Sequence, residues 1–455
     1  MEGQLWEACC DGRVEEVINL LQNSQINTNW QNHSDSLKTP FQIACKNGHI
    51  EIVKLLLNDQ RVVDINQTDN YGITPFRIVC ENGHFEIVKL LLNEEGVDVN
   101  KADIYDQTPF FAGCYNGHIE VVKILLNDER MIDINKTDTN YGWTPFYVAC
   151  QNQKIEIVKL LLNDERVDIN KADKYSRTPF YIMCDKEYLE IVKLLLKDQR
   201  IDLNKAGEDG SAPFYISCEK GYLEVVKLLL NDKRVDIKKA NTNDQTPFFA
   251  ACQEGYVDIV KLLLNDERVE INKANNDSET PFFIACQKEH IEVVKLLLND
   301  NRVDINKANN NNETPFFAAC QEGHIEIIKL LLLNVERVDI NQTTNAGSSP
   351  FWIACENGHI EIVKLLLNTN RVDINNANND GWTPFYCSCY NGHIEIVGNI
   401  LVCGREIDIN RKDGDGKTVL DWAREGGTMH IVELLESFQN NQNETRAKLR
   451  KELGK

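Results

Sequence analysis

The same alternation of apolar and polar residues returns along most of the chain. One copy reads Ile50-Glu51-Ile52-Val53-Lys54-Leu55-Leu56-Leu57. Its apolar positions cover most of a helical circumference, so it predicts a short helix buried between neighbours. Glu51 and Lys54 lie three apart on the wet side, a pairing worth only tenths of a kcal/mol. Asn58 and Asp59 stop the helix, and a short extended run, Val63-Asp64-Ile65-Asn66, follows. A polar loop then leads to the next copy.

Each apolar helix is preceded by a second pattern, as in Thr178-Pro179-Phe180-Tyr181-Ile182-Met183-Cys184. Threonine is a good N-cap, and proline suits the first helical position, where its missing N–H costs nothing. A helix therefore starts at Thr-Pro. It is short, because a glycine commonly stands eight residues after the proline, as at Gly48, Gly83, Gly117, Gly221, Gly255, Gly323, Gly358 and Gly392. Glycine just past a helix end accepts the left-handed conformation that closes it.

All eleven prolines occupy this one position, from Pro40 and Pro75 to Pro350 and Pro384, at spacings of 34 to 36 residues. A period of that length means one supersecondary unit copied many times. The unit is helix, turn, helix and an extended finger. With its Thr-Pro-Phe-aromatic-x-Ala-Cys start, it resembles the ankyrin repeat, whose signature is T-P-L-H-x-A at a period of 33. The resemblance covers about residues 3 to 436. It implies an all-α solenoid of about thirteen helix-turn-helix units with short finger loops.

The two end units are atypical, as terminal repeats are. The first has only its helices, Leu5 to Leu21, and the last places Val419 where proline is expected. Residues 1–437 are expected to form one continuous array. Within it, 1–33 is an N-terminal capping repeat, 34–411 the central repeats and 412–437 a C-terminal capping repeat. Residues 438–455 make a short charged tail, either a frayed helix capping the array or a disordered tail.

The formal charge is −21. Free nucleic acid and anionic membranes would be repelled, and a basic or neutral protein partner is favoured. The acidity also serves simply to keep a long array soluble. The first residues show no signal peptide and no apolar stretch could span a bilayer, so an intracellular, cytoplasmic location without membrane insertion is expected. A monomer is expected as well.

Eleven of the fifteen cysteines stand five residues after a repeat proline, from Cys45 to Cys389, and Cys9 matches them in the first unit. Equivalent positions about 8–10 Å apart cannot meet the Cα spacing a disulfide needs. These cysteines read as small core residues. Cys10, Cys387 and Cys403 lie off that ladder, and Cys387 and Cys403 are expected to react faster. The repeated histidines, His49, His84, His118, His290, His324, His359 and His393, stand too far apart to share a zinc ion. They are expected to open the second helix and bond a nearby backbone group. No phosphate loop or nucleophile elbow occurs. No catalytic residue, metal site or cofactor is assigned, and the chain reads as a non-enzyme.

In the family resembled, partners meet the finger tips and the exposed side of the first helix, on the concave face. Carried onto this chain, the distinctive fingers hold Tyr71, Tyr105, Tyr141 with Trp143, and Tyr175. Tyr115 follows a ladder cysteine in the same stretch, and Trp382 with Tyr390 forms a smaller second group. Later fingers are mostly polar. Tyrosine and tryptophan are favoured at interface hot spots. These rings either bind a partner or merely stack on each other. A second aromatic run, from Phe111 and Tyr147 to Trp352 and Tyr386, reads as a packing ladder between first helices. Two functions stay open: an adaptor that binds a protein or peptide through its concave face and fingers, and a structural spacer with no specific ligand there. The resemblance also allows an asparaginyl hydroxylase to modify the turn asparagines, such as Asn66, Asn100, Asn170 and Asn306.

Overall fold

A computed structural model describes residues 1–59, 61, 64–334 and 336–454. The chain divides into two units. One comprises Met1–Ser217 with Glu224–Asp236, the other Cys218–Leu223 with Ile237–Lys455. Among the described residues there are 27 α-helices and no β-strand beyond two isolated bridges. The fold is an all-α repeat solenoid of thirteen helix pairs followed by one further helix, Gln442–Glu452.

Local chemistry sets each helix pair. Thr39 accepts a hydrogen bond from the Gln42 backbone at 3.2 Å, and the Gln42 side chain accepts one from the Thr39 backbone at 2.8 Å. This reciprocal cap starts the helix Pro40–Asn47. Thr74, Thr108, Thr144 and Thr178 each accept from the backbone three residues on. Such a cap contributes about 1 kcal/mol. The helix ends at Gly48 in the left-handed conformation, φ +75°. The second helix, Ile50–Leu57, then begins behind His49.

In the first unit, first helices pack on first helices: Glu2–Asp11 on Pro40–Asn47, that on Pro75–Asn82, and so on to Pro179–Asp185. Second helices pack on second helices in the same way. The second unit repeats the scheme from Pro247–Gln253 to Val419–Glu425. Phenylalanine after each repeat proline fills the space between the helices, as at Phe76, Phe110 and Phe282, each fully buried. The aromatic run from Phe111 to Tyr386 is buried too, with no member more than 6% exposed. It is a packing ladder, and Phe111 also borders a cleft between the fingers.

Two expectations change. The Asp-Ile-Asn runs are turns, not extended segments; Val99-Asn100 and Ile169-Asn170 are examples. Val63 lies outside the described residues. Cys387 is fully buried and its Sγ sits 3.1 Å from the Pro384 carbonyl, so it belongs with the slow thiols. Its helix turns it inward, two residues before the ladder Cys389. Only Cys10 and Cys403 are partly exposed.

The C-terminal residues are helical. Met429–Asn440 spans residue 437, and Gln442–Glu452 packs on both it and Ile394–Val402. Gly398 stands where other repeats carry the helix lysine, and a Cβ there would lie 3.5 Å from Leu449. Arg446 donates to the Leu401 carbonyl at 3.0 Å.

Candidate functional site

Three ladders of hydrogen bonds hold successive fingers and turns in register. Each turn asparagine bridges to the next repeat: Asn100 Nδ2 donates to the Arg130 carbonyl at 2.7 Å, and its Oδ1 accepts from Ile132 N at 3.2 Å. Where an arginine follows a second helix, it commonly caps the helix end of the preceding repeat. Arg130 donates to the Leu92 carbonyl at 3.0 Å while it pairs with Asp128 at 2.7 Å. The Arg130 guanidinium holds the Asp128 carboxyl below its usual range. The same Asp-x-Arg device recurs at Asp164-Arg166, Asp198-Arg200 and Asp232-Arg234. The Asp-x-Arg spacing is visible in the sequence, but its partner carbonyl lies a whole repeat away. The third ladder is the histidines, which open the second helices and bond backbone carbonyls as expected.

On this frame the finger tips follow one another closely. Ile104 N donates to the Tyr71 carbonyl at 3.0 Å, Thr139 N to the Tyr105 carbonyl at 2.9 Å, and Lys174 N to the Tyr141 carbonyl at 2.9 Å. Tyr71, Tyr105, Tyr141 and Tyr175 are therefore held on four consecutive, directly bonded tips. Their side chains are exposed, from 40% at Tyr105 to 52% at Tyr175. Ile104 stands beside Tyr105 and is 58% exposed, an apolar neighbour outside the aromatic pattern of the fingers. Aspartates at the finger bases fix these tips: Asp103 Oδ1 accepts from Tyr105 N and Gln107 N, both at 2.9 Å. Arg177 lies 4.8 Å over the Tyr175 ring.

Tyr141 and Trp143 behave differently from the other tips. Their rings stack at 4.4 Å, and Trp143 stacks in turn on buried Tyr147 at 5.5 Å. Tyr147 donates to the Asp173 carboxylate at 3.0 Å, and burial with that carboxylate pushes its phenol well up. Tyr115 stacks on Phe111 at 6.3 Å and is 45% exposed. Between these two stacks lies a cleft of about 300 Å³, walled by Phe111, Tyr115, Tyr141 and Trp143 with Glu81 and Asp138. Arg77 lines the cleft as well. It is nearly buried and pairs with Glu81 at 2.7 Å and Asp103 at 2.8 Å. Arg77 takes the position that carries an aromatic ring in most repeats.

Trp382 and Tyr390 sit in the second unit within a cluster of their own. Trp382 lies 5.0 Å from both Tyr386 and Tyr390 and 5.9 Å from Trp422, a residue that the repeat pattern did not single out. Trp422 Nε1 and Tyr386 Oη both donate to the Asp413 carboxylate at 2.8 Å. Of this cluster's two expected residues, Tyr390 is exposed and Trp382 only partly so.

Among the described residues, no group of three or more His, Cys, Asp or Glu side chains converges on a metal-sized site. No helix among them is long and apolar enough to cross a membrane.

The geometry agrees with comparison to known families. The family described as ankyrin repeats (3 copies) matches residues 5–103, 61–138, 80–173, 130–207, 180–275, 267–344 and 332–413. No curated protein matches the chain. Such repeats generally serve protein–protein interaction and the family is typically non-enzymatic. Matched without a gap from residue 5 to residue 413, this chain belongs to the ankyrin repeat family.

Proposed function

We propose that the chain is a non-catalytic scaffold that binds a protein or peptide through the fingers of its first unit. The contact surface is Tyr71, Ile104, Tyr105, Tyr141 and Tyr175, with Tyr115 and Trp143 behind it. One observation carries this reading: four exposed tyrosines and an isoleucine stand on consecutive tips joined by backbone hydrogen bonds. Contiguous exposed apolar patches on soluble domains mark interaction sites. The tips are also held rigid, which lowers the entropy lost on binding. A spacer has no use for such a row. Tyr390, backed by Trp382, offers a smaller contact in the second unit. The charge of −21 favours a basic or neutral protein over nucleic acid or a membrane surface.

The test is cross-linking of the full chain in its native cell, with contacts mapped to repeats. Replacement of Tyr105→Ala together with Tyr175→Ala should weaken capture more than tenfold, as hot-spot truncations of about 2 kcal/mol do. Helical content should stay the same. Cross-links confined to the polar fingers Asn276 to Asn312 would overturn the assignment.

A further inference from the structure

We infer that the cleft between the two ring stacks takes the side chain of a lysine presented by the partner. This deepens the finger-surface reading and rests on it. The cleft's walls are the rings of Phe111, Tyr115, Tyr141 and Trp143. Apolar rings suit a four-carbon stem, and their faces attract a cation. Its charge has the matching sign. Glu81 and Asp138 line it, and Asp103 stands directly behind Arg77. Two carboxylates and one guanidinium thus line the cleft, and that guanidinium is already paired on two sides, to Glu81 and Asp103. An anionic group would meet an electronegative cleft whose only cation is committed. An apolar group would cover the open face of Glu81 without pairing it. An ammonium on an alkyl stem satisfies both features.

The polar geometry points the same way. Asp138 Oδ1 already accepts from Trp143 N at 2.7 Å and Tyr141 N at 3.3 Å, which fixes the carboxylate beside the two rings. Glu81 keeps 43% of its side chain exposed, so one of its faces stays open to a guest while Arg77 holds the other. The protein uses the same chemistry within itself: Lys417 lies 4.1 Å over Trp422, and Lys89 lies 4.1 Å over Phe85.

The experiment uses the full chain and three pentapeptides, Gly-Ser-X-Ser-Gly, with X lysine, norleucine or arginine. Saturation-transfer NMR reads weak contact directly at the peptide protons. The lysine peptide should show saturation at its ε-methylene, at least about fivefold above the norleucine peptide, the scale of a ring–ammonium contact. Tyr115→Ala should remove most of that signal, Tyr115→Phe should keep it, and Glu81→Gln should weaken it about threefold. Tyr390→Ala in the second unit should leave it unchanged. Equal signals from lysine and norleucine, a stronger one from arginine, or indifference to Tyr115→Ala would each overturn the assignment. Partner capture that depends on Tyr105 and Tyr175, without a lysine signal, would sink this inference alone. A lysine signal with capture indifferent to those tyrosines would sink the finger surface instead.

Discussion

The His84 ring nitrogen Nε2 lies 2.8 Å from the Lys46 carbonyl, thirty-eight residues earlier and one repeat away. The ring reaches that carbonyl by passing over Gly48, where a Cβ would come within 2.7 Å of it. Seven histidines make this bond, from His49 on Cys10 to His393 on Glu356. In six of them the ring crosses a glycine with two duties: it turns the backbone left-handed and leaves room for the ring. His324 instead crosses Glu289, held at φ +60°, with its Nδ1 3.5 Å from that carboxylate.

Those duties separate under mutation. Gly83→Ala should destabilise the first unit by about 2 kcal/mol or more, since it adds left-handed strain and drives a Cβ to 2.4 Å from His118. Gln153 and Glu187 already hold this turn without glycine, at φ +53° and +57°. No histidine follows them; Tyr188 and Tyr222 stand there instead. Gln153→Gly with Glu187→Gly should therefore stabilise, by about 1 kcal/mol each. Urea unfolding of the three chains checks both signs. Stabilisation by Gly83→Ala would refute the steric account.

The Asp-x-Arg caps make stability fall in acid. Seven aspartates, Asp59, Asp128, Asp164, Asp198, Asp232, Asp266 and Asp300, have carboxyls lowered from 3.8, chiefly by hydrogen bonds from their arginines. The folded state releases these protons more readily than the unfolded one. Their contribution is therefore complete above pH 4 and is lost as pH drops through the lower folded values. Each pair is partly exposed and worth less than about 1 kcal/mol, but they recur. The melting temperature should hold steady from pH 7 to 5 and fall below about pH 4. Asp128→Asn with Asp164→Asn should melt lower at pH 7 and lose less on going to pH 3. An unchanged acid slope in that variant would rule the caps out as its source.

Thiol reactivity should divide two against thirteen. Cys10 and Cys403 are partly exposed, and the other thirteen are buried. Burial pushes the Cys9 thiol up to about 12 and the ladder cysteines higher still. A thiolate is the reactive form, so these groups are both hidden and protonated. Native titration with an aromatic disulfide should find about two fast thiols, and urea should release all fifteen. Fast labelling of Cys387 would contradict its buried place.

Much of this was legible because it is periodic. The Thr-Pro start recurs nine times, the helix-ending glycine eight times and the ladder cysteine eleven times after a repeat proline, so each states a local rule repeatedly. The histidines' role as backbone binders was readable from their position, though not the carbonyl they reach. What escaped notice depends on contacts across the repeat. Glu81, Asp138 and Ile104 are ordinary residues in one copy and become a surface only beside the next. Cys387 stands off the ladder, which suggests exposure, yet helical rotation still points it inward.

The cross-repeat bonds also bear on how such a chain can change length. His84 to Lys46, Asn100 to Arg130 and Arg130 to Leu92 all end in the adjacent copy. A copy that carries all three residues brings both the donor its predecessor accepts and the acceptor its successor needs. Duplicating or deleting one such full period in the interior re-forms these pairs at the new junction wherever the copies brought together carry them; copies with Lys154, Tyr188, Tyr222 or Tyr256 at the histidine position lack that bond. A gain or loss of any other length strands a donor on one side and a carbonyl on the other. The whole period, rather than the single residue, is the unit by which this gene can be edited without leaving a scar.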